Sequence, residues 1–509
     1  MLNNIVSGKR WSKIRHIPML KVSTPQLAKI IFSLALITLG ITMKSQGQQL
    51  NIGVATADIT PILPVALDGQ MYLRVAKEVE TPLVASVVVL ESHQGDKSIE
   101  SVVFVSCELV AIPSDLLAMV RKEVHQRLPE LEVNKIVMNA IHTHTAPVVR
   151  FGLYAIPKEI TQIEAYYTFF SRRVSDAIVE AWRSRAPGSI TWGLSQAKVG
   201  YNRRAIYSDK SSMMYGKTNQ DDFRGIEGYE DQNVNTLFFW NEAGELTAVS
   251  IDVACPAQEA EHREKINADY WYPVRNALRK HFGPKLCVMG WIGAAGDQSP
   301  HLMYGQAGEE RMRNLRKLDR LDEIARRVVN AVEDAYEVVK QDRHKEVKLV
   351  HEVEKISLPM RIVTNAEYEQ CKNEQNKVKE QIAKDPKSTD QLFRKLNWEG
   401  DAIRRYEEQK TNPHPMYETE IHVLRIGDVA VCTNSFELFT DFGIAIQARS
   451  LAVQTFVIQH VGPGTYLPTE KAVKGGSYSA IIESNLVGPE GGQILVDRTV
   501  KLINGMFPQ

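Results

Sequence analysis

Cysteine is scarce, with five in 509 residues: Cys107, Cys255, Cys287, Cys371 and Cys432. An odd number without regular spacing is not a disulfide framework, so a buried core must stabilise the fold. An excess charge of either sign is also missing, since 61 Lys+Arg face 61 Asp+Glu. No basic surplus exists to displace phosphate counterions, which removes the case for general nucleic-acid binding. Internal repeats, low-complexity tracts and a linker between domains are absent too. What remains, 44% hydrophobic and 24% charged residues, is ordinary globular composition and excludes a disordered chain.

The apolar run Ile30–Met43 has 14 residues, short of the roughly 20 that span a bilayer. Lys9, Arg10, Lys13, Arg15, Lys21 and Lys29 precede it, and a polar stretch follows. A basic region, a short apolar core and a polar exit make the pattern of a secretory signal. Residues 1–47 are therefore expected to be a signal peptide, and 48–509 a periplasmic or secreted catalytic part with no stable membrane insertion. An uncleaved anchor is the competing reading. A non-cytoplasmic enzyme cannot count on ATP or NAD, which favours hydrolysis or elimination.

Hydrophobic periodicity predicts strands at Val84–Leu90, Ser101–Val105, Lys135–Ala140, Leu286–Ile292, Glu420–Arg425 and Val429–Thr433. Helices are predicted over about Asp115–Leu128, capped by Ser114, and Gln162–Arg183. A hairpin is predicted at Leu237–Ile251 with its turn at Asn241–Gly244. Residues Glu309–Lys340 and Ala366–Lys410 read as charged helices, the latter broken at Pro386. They form an expected helical insertion over about 305–412. Gly475–Asp497 reads as Gly-rich loop. The strand–helix alternation predicts one large layered α/β domain, a mixed sheet flanked by helices.

Polar motifs gather where strands end, which is where α/β folds place their sites. His142-Thr-His144-Thr-Ala-Pro147 follows a buried strand. On extended backbone the two imidazoles would point the same way. They can share a metal, or one can ligate while the other moves a proton; a pair of core histidines is the competing reading. Gly293-Ala-Ala-Gly296-Asp297-Gln298-Ser299-Pro300 offers small residues for close backbone approach, with Ser299 as nucleophile or donor; a plain turn competes. Glu437, at a strand end among apolar residues, is costly unless paired or metal-bound. Tyr201-Asn202-Arg203-Arg204 is an anion-clamp candidate or an ordinary surface pair. Tyr466 and Tyr478 stand in the last third of the chain.

In order, these pieces resemble the neutral/alkaline non-lysosomal ceramidase family. The matching segments are Gly53 to Pro61 (G-x-x-x-x-D-I-T-P), H-T-H-T-A-P, Asn202-Arg203, G-D-x-S-P (Gly296 to Pro300), Glu437 and the two tyrosines. The Ig-like C-terminal domain of full ceramidases is not expected before Gln509. The resemblance implies a zinc enzyme, with His142, Glu437 and Tyr466 as ligands. The family's second histidine ligand falls at Cys255, within Val253-Ala-Cys255-Pro-Ala-Gln258; a thiolate is a good zinc ligand, and nearby His262 is an alternative. Residues for substrate and proton transfer map to His144, Arg203 and Tyr478, and the family serine to Ser299.

The sequence departs from the family where substrate would lie. Val148-Val149-Arg150 replaces a Gly-rich loop, and Arg204 replaces a Ser. Arg150 and Arg204 beside Arg203 would suit an anionic guest. The leading expectation is accordingly a zinc-dependent dehydratase of uronic-acid-ended oligosaccharides such as ulvan fragments, an activity also suggested by a resemblance to a carbohydrate-active bacterial branch of the family. A ceramidase-type amidohydrolase acting on a lipid amide is the alternative. An inactive glycan- or lipid-binding module is the third.

Overall fold

Strand alternation builds the centre of the molecule, described here by a computed structural model over Gln48–Phe507. The expected signal segment, residues 1–47, lies outside the described residues. Eight strands form the larger sheet: β1 (Gln49–Asp58), β2 (Val84–Gln94), β3 (Lys97–Cys107), β4 (Ile136–Ala140), β5 (Ala186–Gln196), β6 (Asn233–Asn241), β7 (Leu246–Val253) and β8 (Cys287–Ile292). Their spatial order is β8-β7-β6-β5-β1-β2-β3-β4. The sheet is mixed: β3–β4 and β7–β8 pair parallel, whereas β1–β2, β2–β3 and β6–β7 pair antiparallel.

A second sheet holds β9 (Leu349–Pro359), β10 (Met416–Ile426), β11 (Val429–Thr433) and β12 (Gln454–Ile458) in sequence order. The two sheets face each other. Val88, Leu90, Val102 and Phe104 of the first share a core with Leu424, Val429, Val431 and Phe456 of the second. Their strand neighbours Val87, Val89, Val103 and Val105 point the other way, against helices α1 (Ser114–Arg127) and α2 (Ile163–Ser184). This period of two explains why β2 and β3 are apolar throughout: both faces are covered.

Helix α3 (Trp271–Phe282) and helix α5 (Arg320–Val339), which follows the short α4 (Gln306–Arg316), cover the β5–β8 side. Helices α8 (Thr440–Arg449) and α9 (Pro489–Met506) cover the second sheet. The result is helices, sheet, sheet, helices, an α/β layered fold as the sequence predicts. Among the described residues, no helix is long and apolar enough to cross a membrane.

Three local expectations need correction. The block 305–412 is not one helical insertion. Leu321, Ile324, Val328 and Val332 of α5 recur at helical spacing and pack into the core, and β9 then enters the second sheet. The hairpin α6 (Asn365–Lys384) and α7 (Thr389–Gln409) forms a small cluster of its own with Val363 and Ile482. Second, α1 begins at Ser114 without a side-chain cap. Third, the Gly-rich end is half helix. Pro489 opens α9 at the position where its missing N–H costs nothing. Gly492 is needed for packing, since a Cβ there would meet the Phe442 ring at 2.5 Å.

Candidate functional site

Parallel pairing decides where the polar motifs meet. β3–β4, β7–β8 and β11–β12 are parallel pairs, and the segments leaving β4, β7, β8, β11 and β12 are knitted together by their backbones. The Ala140 amide donates to the His460 carbonyl, Ala257 to Ile141, Gln459 to Ile292 and Gly296 to Leu438. Gly296 permits the last contact, because a Cβ there would lie 2.2 Å from the Glu437 carbonyl oxygen. The sequence expectation of close backbone approach at this glycine describes what is seen.

His142 sits at φ 67° and His460 at φ 58°. Non-glycine residues in the left-handed region are uncommon and concentrate at functional sites. The two rings stack at 4.2 Å with 8° between planes. His142 Nδ1 bonds to the Val110 carbonyl at 2.8 Å. A carbonyl only accepts, so this nitrogen carries the proton and Nε2 presents a lone pair. Burial, with His460 and His144 adding to it, holds His142 well below the usual histidine range and keeps it neutral.

The same reasoning assigns His144. Arg203 can only donate, so its 3.2 Å contact makes Gln258 Oε1 the acceptor and leaves Gln258 Nε2 to donate to His144 Nε2 at 2.9 Å. His144 Nδ1 lies 3.2 Å from Glu261 Oε2. Burial pushes the Glu261 carboxyl up, but His144, His301 and His262 outweigh it and hold it at about 2. Because Nε2 accepts from Gln258, the His144 proton belongs on Nδ1. Two Nε2 lone pairs then face each other at 3.2 Å, and Glu437 Oε2 stands 3.8 Å from His142 Nε2. Facing lone pairs repel unless a proton or cation joins them.

Glu437 and Tyr466 come from adjacent short parallel strands, paired in register. Burial raises the Glu437 carboxyl, opposed by Arg203 and a Tyr466 hydrogen bond. Burial, reinforced by Glu437, raises the Tyr466 phenol well above its ordinary value. Arg203 donates to the Tyr466 hydroxyl at 3.2 Å, the Gly296 carbonyl at 3.0 Å and the Tyr215 hydroxyl at 2.9 Å. With Gln258, all four acceptors are neutral oxygens. The Tyr478 ring meets Tyr466 edge-on at 5.5 Å. His142, His144, Arg203, Glu437, Tyr466 and Tyr478 thus come together from widely separated stretches of chain.

Five other sequence-nominated residues do not join them. Cys255 is buried, with its thiol 3.4 Å from the Val199 carbonyl, packed in an apolar cluster. Gln258, three residues on, is what reaches His144. His262 is 75% exposed and turned to Glu261. Ser299 spends its hydroxyl accepting the His301 amide at 3.2 Å. Arg204 is fully buried against Glu227, with donor contacts to the Tyr478, Ala472 and Gly476 carbonyls as well. It pins the loop that carries Tyr478 and offers nothing to a guest. Arg150 forms a fork with the fully buried Asp68 at 2.8 and 3.0 Å.

Sequence reasoning missed Gln258, Glu261 and His460. His460 had a signal, a histidine directly after the apolar strand Gln454–Ile458. It also missed the hairpin lid: α7 donates from Arg394 to the Gln70 carbonyl at 2.7 Å and sets Trp398 5.9 Å from Tyr478. A cleft of about 700 Å³ opens beside Tyr215 and His301, lined further by Lys217, Met303 and Tyr304.

No protein-family model matches this chain, and no curated protein is similar to it at a significant level. Solved structures do match. A neutral ceramidase from Pseudomonas aeruginosa superposes with a TM-score of 0.64 at 16% identity, covering 90% of this chain and 75% of that one. The fold is neutral-ceramidase-like. A second structure, a ceramidase complexed with C2, gives a TM-score of 0.61 at 15% identity, covering 91% of this chain and 76% of that one.

Proposed function

We propose that the protein is an exported, zinc-dependent amidohydrolase that cleaves an N-acyl bond. The observation that carries this reading is the convergence of unprotonated His142 Nε2 with Glu437, with Tyr466 paired beside Glu437 on the neighbouring strand. Nitrogen, carboxylate and phenol donors are a set that would suit a catalytic zinc, and the Val110 carbonyl behind His142 orients the ring as ligating histidines require. Zinc held by these three residues would supply Lewis-acid polarisation of a carbonyl and acidification of a water.

The chain's own groups do the rest. His144, its Nδ1 on the Glu261 side, presents Nε2 to take a proton from an attacking water and return it to the leaving nitrogen. Arg203, held beside the Tyr466 hydroxyl, brings a guanidinium that can stabilise negative charge as it develops on an attacked carbonyl. Tyr478, also raised by burial and by Glu437, keeps its proton and can donate. The ceramidase-like fold supports an amide substrate. So does the state of the nominated anion clamp, since Arg204 is neutralised by buried Glu227 and Arg150 is forked onto Asp68.

Dehydration of a uronate-ended oligosaccharide stays as a second reading on one observation. Arg203 contacts only neutral oxygens, leaving charge available for a substrate carboxylate, with His144 as base. Mass spectrometry of products separates the two. Incubation with ceramide should give a fatty acid and an amine that together carry one added water. Oligosaccharide losing one water, with rising ultraviolet absorbance and no amide cleavage, would overturn the amidohydrolase reading.

A further inference from the structure

Away from that site, three ligating side chains meet behind the Tyr478 loop. Cys371 on α6, Glu399 on α7 and Glu483 in the helical turn Ile482–Ser484 place donor atoms all within 4.8 Å of one another. Cys371 Sγ is 3.4 Å from Glu483 Oε1. Glu399 is only 3% exposed, and its Oε2 has no hydrogen-bond partner among the described residues. A buried carboxylate oxygen without a partner, beside a second carboxyl and a thiol, is costly unless a cation is present.

We propose that Cys371, Glu399 and Glu483 form a second metal site, selective for a zinc-class divalent ion and separate from the catalytic one. The sulfur sets the class. Calcium and magnesium take all-oxygen shells, whereas one thiolate with two carboxylates and a water suits zinc. On binding, the thiol proton leaves to solvent and sulfur donates its pair to the metal. The site would bolt the α6–α7 hairpin to the segment just after Tyr478. Because α7 also presents Arg394 and Trp398 to the candidate catalytic site, the ion would fix the lid by clamping its base. This inference does not depend on the reaction proposed above.

The test uses cobalt as a probe on the full chain after chelator treatment. A thiolate bound to Co²⁺ gives a near-ultraviolet charge-transfer band, and the catalytic set contains no sulfur. The expected result is a band that saturates, is displaced by Zn²⁺, persists in His142→Ala and disappears in Cys371→Ser. Should Cys371→Ser fail to fold, the near-isosteric Glu399→Gln decides, with cobalt affinity expected to fall at least about 10-fold. Absence of a band in the wild type, its survival in Cys371→Ser, its loss in His142→Ala, or unchanged affinity in Glu399→Gln would each overturn the proposal.

Discussion

Arg203 and Arg204 are neighbours in sequence with opposite fates. Arg203 reaches the Tyr466 hydroxyl, hydrogen-bonds to neutral oxygens and places its charge where the Glu437 carboxyl feels it. Arg204 disappears into a fully buried pair with Glu227 and holds three carbonyls of the Tyr478 loop. One shapes the electrostatics of the site and the other shapes its walls. A guanidinium count near a motif therefore says little about substrate charge, because each positive group must be debited for the carboxylate it already has.

The comparison can be broken most strongly at the site itself. His142→Ala or Glu437→Ala should lower turnover at least about 1,000-fold and lose one equivalent of bound zinc, read by elemental analysis, with circular dichroism unchanged. Arg203→Lys should come next. It keeps the charge but loses the fork, so turnover should fall about 100-fold at nearly constant melting temperature. Arg204→Ser should do the reverse. Leaving Glu227 buried and unpaired costs about 3–5 kcal/mol, visible in urea unfolding, and activity should fall only through the displaced Tyr478 loop. Equal stability losses in the two arginine variants would erase the distinction.

A smaller effect concerns the other neutralised arginine. Burial alone would raise Asp68, but Arg150 and Arg394 outweigh it and lower its carboxyl from 3.8 to about 2. A carboxyl depressed on folding stabilises fully above its unfolded value and loses that contribution as pH falls through the folded one. About 2 kcal/mol of stability should thus fade between roughly pH 4 and pH 2, and urea titrations of Asp68→Asn should lack that slope. The smallest change is Cys255→Ala, expected to cost about 1 kcal/mol of packing and leave zinc content untouched. Loss of zinc in that variant would restore the thiol to the metal site.

Much of this was legible in the chain. Alternation gave the strands because both faces of the sheets are covered, and the hairpin turn followed from Asn241 to Gly244. His142 and Glu437 stood out because each polar group follows a strand among apolar neighbours, whereas Tyr466 came from the family resemblance alone. Cys255 misled because alignment places a residue along the chain and says nothing of where its side chain turns; the bonded partner is Gln258, one further turn of backbone away. Arg150 and Arg204 misled for a related reason. Asp68 and Glu227 lie 82 and 23 residues away in sequence, so the neutralising charge was invisible locally.

The sequence by itself determined the strand and helix pattern, the need for a packed core without disulfides, and the residue types on offer at the strand ends. Those are short-range properties, set by periodicity and composition. Tertiary structure alone decided which offers were taken up: that Gln258 sets the His144 proton, that Cys255 turns into an apolar cluster, and that one arginine reaches the site while its neighbour is consumed. Such choices depend on desolvation and on pairings between distant segments, which exist only once parallel strands bring their ends together.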